Sequence, residues 1–385
     1  MASHLFFLGR SPELSFAELG IFFPNLIKVC DFIYQVDEDI IHVNNADIPI
    51  QESIHVLGGT VKIAKILGRA SQVDSMTLVQ YLSQDPTNKI IFGVSTYEGM
   101  AKISPPMYQE IKNLLEQEGR KARFILPKDG SVLSSVVVIK QGVTEINIVP
   151  FENEFLFSQT IAVQEFEEWA SRDYDRPYFD SKKGMLPPKA ARMVVNIGLG
   201  AHAVGKTLLD PFCGMGTIPG EAILRGAVAM GADNSKEAVE KAKKNSIWLR
   251  SNDVKLPPIT YFVSDATHIS EYVREGTIDA IVTEPFMGSP KLGLGKIMDK
   301  KEIKNAVKGL EKLYIGCLRD WYELLKPNGV VLMALPEIEL ANTKYTVKSV
   351  IDSCETLGYT IQNGPFPYNR PQAIVRRMFY TFKKK

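Results

Sequence analysis

The chain changes character after Gly184. Before it, short strand-like runs alternate with helical ones. "HLFFLG" (His4–Gly9) reads as a strand, and "SPELSFAELGIFF" (Ser11–Phe23) as a helix with Ser11 as N-cap and Pro12 in its first turn. "IHVLGGTVKIAKIL" is interrupted at Gly58-Gly59, and "NKIIFGVSTY" reads as a strand. "PPMYQEIKNLLEQEGRKA" reads as a helix closing at Gly119, and "RFILPKDGSVLSSVVVIKQ" as a strand pair around Asp129-Gly130. This mixed order predicts an N-terminal α+β region over 1–150. Residues 151–184 begin apolar, turn acidic and end polar, which predicts a linker.

From 185 to 385 the pattern is regular. "MLPPKAARMVVNIGLG" predicts a helix opened by two prolines. Strand-like "KTLLDPF", "AVAMGAD", "ITYFVSDA", "IDAIVTEP" and "GVVLMALP" then alternate with helical "GEAILRG", "KEAVEKAKKNSIWLR" and "IKNAVKGLEKLYIGCLRDWYELL". The fold class is therefore α/β: a doubly wound, mostly parallel sheet, with ligands expected at the carboxyl ends of its strands.

At 385 residues the chain can bury more than one core, and its 45% apolar and 23% charged residues are ordinary for a globular protein. A net charge of +1 excludes a globally basic nucleic-acid binder but not a local basic patch. Cys30, Cys213, Cys317 and Cys354 lie far apart, which speaks against a zinc site or a disulfide framework and suits a reducing cytosol. We expect no metal. Without a signal-like start or a membrane-length apolar run, the expected location is cytoplasmic.

"TLLDPFCGMGTIPGEAIL" carries the first chemistry. A strand ends at Asp210, a turn holds Gly214 and Gly216, and a helix starts near Thr217. Glycines let backbone approach a ligand closely, and a helix start offers free N–H groups. The next strands end in Asp233, suited to ribose hydroxyls, and Asp265, suited to an adenine amine. The fourth opens into Thr283-Glu284-Pro285-Phe286. One acid at a strand end often merely begins a loop. Four in succession behind a glycine turn point to a nucleotide-like ligand. A dinucleotide is disfavoured, because Pro219 occupies the place of the third fingerprint glycine.

"LLDPFCGMGTIPGEA" closely resembles the adenosylmethionine motif of RNA guanosine N2-methyltransferases that carry an N-terminal THUMP domain. "RDYDRPYFDSKKGMLPPKAARMVVNI" looks like the segment before that motif in the archaeal-type tRNA guanosine-10 enzymes. "FFLGRSPELSFAEL", "LGGTVKIAKI", "FGVSTY", "RKARFILPKDGSVLSSVVV" and "YNRPQAIVRRMFYTF" resemble other parts of that family. The resemblance implies a Rossmann-like class I methyltransferase domain behind ferredoxin-like and THUMP-like modules, S-adenosyl-L-methionine as cofactor and tRNA as partner. It further implies that Asp210, Pro211, Cys213, Gly214, Gly216 and Thr217 wrap the methionine end. Asp233 and Asn234 would take the ribose, Asp265 and Ala266 the adenine, with Pro188 (in Met185–Lys189) and Glu284 lining the pocket.

"TEPFMG" is similar to the amino-methylating loop of such enzymes, which usually reads Asp, Asn or Ser, then Pro-Pro, then Tyr or Phe. Here the acid is Glu, one proline is missing and the aromatic comes one place early. Glu284 is the expected acceptor and base, Pro285 shapes the turn, Phe286 stacks on the base and Met287 packs beside it. Cytosine C5 chemistry would want a cysteine near Pro285, and none is there. The glycine- and lysine-bearing stretch Gly288–Lys300 reads as a lid or a solvated loop. For RNA, Lys112, Arg120, Lys121, Arg123 and Lys128 form a candidate phosphate-binding patch. The competing readings are a DNA amino-methyltransferase and a catalytically silent RNA-binding protein.

Overall fold

The computed structural model describes residues 2–23, 33–37, 40–46, 49–97, 99–179, 185–253, 255–288, 300–340, 343–368 and 375–385. The chain forms two compact units, Met1–Pro12 with Phe23–Phe166 and Glu13–Phe22 with Glu167–Lys385.

The first unit contains β1 (Ala2–Leu8), β2 (Ile33–Asp37), β3 (Ile40–Ala46), β4 (Thr60–Ala70), β5 (Lys89–Thr96), β6 (Lys121–Phe124), β7 (Thr144–Phe151) and β8 (Glu154–Val163). They form one eight-stranded sheet in the order β2-β3-β1-β4-β8-β7-β5-β6. β5 runs parallel to β6 and β7, and the other pairs are antiparallel. Helices Ser75–Leu82 and Pro105–Gln117 bury Leu78, Leu82, Tyr108, Ile111 and Leu115 against Ile90, Phe92 and Val94. Lys62 lies buried in this sheet, with Nζ 2.8 Å from Glu145 Oε1 and 2.7 Å from Asn147 Oδ1. The hydroxyls of Ser95 and Thr160 donate to the same carboxylate, so the buried charges are paired and hydrogen-bonded.

Two sequence expectations fail in this unit. The run after Asp129-Gly130 is not a second strand: Ser135–Gln141 is a helix, with Ser134 Oγ accepting from Val137 N and Gly142 in the left-handed region at φ 59°. The two end signals override the β preference of Val136, Val137 and Val138. The expected linker also contains β8, which lies between β4 and β7. The polar residues after Phe151 form the tip of a hairpin, since Phe151 pairs with Glu154 and Glu152 sits at φ 57°.

The second unit is built on β9 (Thr207–Asp210), β10 (Val228–Asp233), β11 (Thr260–Val263), β12 (Ile278–Thr283), β13 (Leu325–Leu340), β14 (Thr343–Thr346), β15 (Tyr359–Tyr368) and β16 (Val375–Lys384). The sheet order is β11-β10-β9-β12-β13-β16-β15, with β14 on β13. β11, β10, β9, β12 and β13 run parallel in that order, and β16 pairs antiparallel with β13 and β15. Alternating side chains feed two cores. Leu208, Ala280, Val282 and Leu332 meet helices Pro188–Leu199 and Thr217–Leu224. Leu209, Ile281, Val331 and Met333 meet helix Lys300–Leu324, which buries Tyr314, Leu318 and Trp321. Each fully buried large side chain contributes about 1.5–3 kcal/mol.

The helix Pro12–Phe22, expected within the N-terminal region, packs from Glu13 onward with this second unit. Leu14 joins the core around Val194, and Asn196 Nδ2 donates to Glu18 Oε1 at 2.6 Å. No described helix is long and apolar enough to cross a membrane.

Candidate active site

Parallel pairing of β10, β9 and β12 in register brings the ends of successive strands to one edge. Asp210, the last residue of β9, is 2% exposed. Its Oδ1 accepts from Thr283 Oγ1 at 2.6 Å and from Phe212 N at 3.1 Å. Burial pushes its carboxyl up to about 7, opposed by those two hydrogen bonds and assisted by the charges of Asp233 and Glu284.

The turn after Asp210 is tied to the next strand. Cys213 N donates to Ala232 O at 2.8 Å, and Gly214 N donates to Asp233 Oδ2 at 3.0 Å. Asp233 Oδ1 accepts from Ser235 N at 2.9 Å. Asp233 therefore organises the turn while its remaining lone pairs stay available. Gly214 (φ 50°) has open space where a side chain would begin, whereas a Cβ on Gly216 (φ 84°) would lie 2.5 Å from the Tyr261 hydroxyl. That hydroxyl is buried and has no hydrogen-bond partner among the described residues. Cys213 is buried, and burial raises its thiol well above the ordinary value, which removes it as a nucleophile.

Asp265 lies two residues beyond β11. Thr267 donates to its Oδ1 from N at 2.9 Å and from Oγ1 at 2.8 Å, and the backbone bond leads in lowering its carboxyl below the usual range. Ala266 is buried and its carbonyl accepts from Trp321 Nε1 at 2.8 Å. Pro188 opens the helix that backs the turn. Acids with spare lone pairs at the ends of β10 and β11, and an unobstructed Gly214, fit a nucleoside carrying a short charged tail.

At the end of β12, Glu284 is paired with Arg377 Nε from β16. Pro285 is buried, Phe286 is 54% exposed, and Met287 packs against the core that contains Val282. The Phe286 carbonyl accepts from Tyr314 Oη at 2.6 Å, so it is already engaged by the protein. Burial raises the Tyr314 phenol well above its ordinary value and keeps it a donor. The sequence reading missed Thr283, Arg377 and Tyr314. Thr283 stood inside the quoted motif, and Arg377 and Tyr314 carried no local signal. Of the stretch Gly288–Lys300, residues 289–299 lie outside the described residues, as does Cys30.

In the first unit Lys121, Arg123 and Lys128 are exposed, and Lys112 is half-buried near Glu116 at 3.6 Å. Arg120 departs from the expected patch. Its guanidinium donates to Leu82 O at 2.9 Å and to Thr87 O at 3.1 and 2.7 Å, closing the end of helix Ser75–Leu82.

The sheet order β11-β10-β9-β12-β13-β16-β15, with β16 antiparallel, is a Rossmann-like α/β fold of the kind seen in class I methyltransferases. Residues 176–350, all within the second unit, match the RMKL-like methyltransferase domain family. The chain is 31% identical over 194 residues to a tRNA (guanine(10)-N2)-dimethyltransferase of Methanothermobacter thermautotrophicus, covering 50% of this chain and 51% of that protein. It is 30% identical over 227 residues to the Pyrococcus abyssi protein of the same name, covering 58% of each. The chain thus spans between half and three-fifths of the length of these curated relatives. The crystal structure of SMU.472 complexed with SAH aligns over 100% of this chain and 98% of that one, at TM-score 0.52 and 14% identity. A possible methylase from Clostridium difficile 630 aligns over 98% and 97%, at TM-score 0.50 and 14% identity. Both share the fold.

Proposed function

We propose that this chain methylates the exocyclic N2 amine of a guanosine in tRNA, at position 10 as its relatives are named, with S-adenosyl-L-methionine as methyl donor. The observation that carries the reading is Glu284-Pro285-Phe286 at the end of β12, in one sheet with the Asp210 turn, Asp233 and Asp265. When bound, the cofactor supplies an electrophilic methyl group on a sulfonium. Asp233 and Asn234 would hold its ribose, and Asp265 its adenine amine, through the Oδ2 that Thr267 leaves unused. Buried Ala266 would serve as a packing surface, its carbonyl being engaged by Trp321.

An aniline-like guanine amine is a weak nucleophile, so positioning has to supply much of the rate. The target base leaves its stack and lies on Phe286. Glu284 accepts a hydrogen of the N2 amine and takes the proton as the nitrogen acquires its methyl group. Arg377 keeps that carboxylate oriented. The first unit, with Lys121, Arg123 and Lys128 on its surface, is the THUMP-like region that contacts RNA phosphates.

The test is transfer from labelled adenosylmethionine to unmodified tRNA transcripts, with duplex DNA in parallel and nucleosides identified by mass spectrometry. N2-methylated guanosine that disappears in Glu284→Gln is the expected result. Label in DNA alone would overturn the tRNA reading. Cofactor binding without transfer to tRNA would identify a silent RNA-binding protein.

A further inference from the structure

A cavity of about 30 Å³ opens behind the glycine turn, between the start of helix Thr217–Leu224 and the flank of helix Lys236–Asn252. That is room for a pair of waters or one compact ion. Arg172, Arg176, Gly216, Thr217, Glu221 and Trp248 are among its walls.

Arg176 is 8% exposed, and its Nη1 donates to Thr217 Oγ1 at 2.8 Å. Its Nε is buried and has no hydrogen-bond partner among the described residues. A guanidinium presents its donors in a fixed planar fork, so a buried donor left over costs about 1–3 kcal/mol unless something in the cavity accepts from it. Glu221, the acid in the wall, does not fill that role. Its Oε1 is 2.9 Å from Arg172 Nε and its Oε2 is 2.7 Å from Arg192 Nη2. Half-buried Asp173 and buried Glu221 both add a favourable charge to Arg176 from nearby.

The helix start adds a second donor set. Gly216 precedes Thr217 with no side chain capping the first turn, so the N–H groups of Thr217 and Ile218 lack a capping side chain and the positive end of the helix dipole lies at this end, while Pro219 has no N–H to offer.

We infer that this cavity is a binding site for a small inorganic oxyanion of the phosphate class, held by Arg176 and the start of helix Thr217–Leu224. The site needs neither RNA nor a bound nucleoside. Because Arg176 also holds Thr217, an anion here braces the Met215–Thr217 turn from behind.

The experiment titrates the full chain with inorganic phosphate against chloride at constant ionic strength, reading tryptophan fluorescence, to which Trp248 in the wall contributes. A saturable, phosphate-specific change is expected, with a midpoint at least tenfold higher in Arg176→Gln and raised in the charge-preserving Arg176→Lys. Hydrogen exchange on the unaltered chain locates the effect without a variant: phosphate should slow amides at the start of helix Thr217–Leu224. No phosphate-specific change, an unchanged midpoint in both variants, or protection confined to other segments would each overturn the site. Water alone would then fill the cavity.

Discussion

Arg377 Nε donates to Oε1 of Glu284, joining β16 to the loop after β12 across 93 residues of sequence. The side chains are 17% exposed for Glu284 and 11% for Arg377. A carboxylate so placed is held in one orientation. The pairing explains how a Glu, one methylene longer than the usual acid, can be pinned at the end of a strand.

Arg377→Gln should therefore impair chemistry more than binding. We expect a loss of about 1–3 kcal/mol of stability, below that of a fully buried pair because both groups retain exposure. The same variant should lower kcat at least tenfold with a smaller change in KM for tRNA. Steady-state kinetics beside urea unfolding check both. An unaltered kcat would remove Arg377 from the positioning role.

Asp210 predicts an unusual pH dependence. Its folded-state carboxyl titrates at about 7, above its ordinary value of 3.8. The native state therefore holds the proton more tightly than the unfolded chain, and this group's contribution is fully present below about pH 4. It falls as pH rises through about 4 to 7 and is constant above that, a change on the order of 2–4 kcal/mol. Unfolding free energies of the ligand-free chain from pH 5 to 8 should fall more steeply in the wild type than in Asp210→Asn. Equal slopes would place the titration elsewhere.

The two turn glycines should fail differently. Gly216→Ala places a Cβ against Tyr261 and should destabilise the fold by about 2 kcal/mol or more. Adding Tyr261→Phe removes the obstructing hydroxyl and should recover part of the loss. Tyr261→Phe alone should be neutral or stabilising, since that hydroxyl is buried without a partner among the described residues. Gly214→Ala meets nothing and should cost only about 1–2 kcal/mol for its left-handed backbone. It should, however, abolish binding of S-adenosylhomocysteine. Thermal unfolding and calorimetric titration separate the cases.

Arg120 and its neighbours also separate. Arg120→Ala removes the donors to Leu82 O and Thr87 O and should lower stability by about 1–3 kcal/mol, with little effect on RNA affinity per folded molecule. The double variant Lys121→Ala, Arg123→Ala should leave stability within about 0.5 kcal/mol. It should also weaken tRNA binding and flatten its salt dependence. Filter binding at several salt concentrations checks this.

The local code fixed a good deal of this molecule. Near-continuous apolar runs in "TLLD", "AVAMGAD" and "IDAIVT" demanded strands buried on both faces, and Pro188 began its helix where its missing N–H costs nothing. That Asp210, the glycine turn, Asp233 and Glu284 stand at strand ends was legible because each is written next to its strand. The helix Ser135–Gln141 and strand β8 were not, because capping and a central place in a sheet outweigh local composition. Tertiary structure alone assigned partners. It gave Glu284 to Arg377, Phe286 O to Tyr314, Arg120 to the carbonyls of Leu82 and Thr87, and Glu18 to Asn196. Hydrophobic periodicity reports the face on which a residue is buried, but a charged group's partner depends on which distant strand or helix packs beside it. Sequence therefore determined the sheet and which residues stand at its strand ends, and the packing of remote elements decided which charges pair.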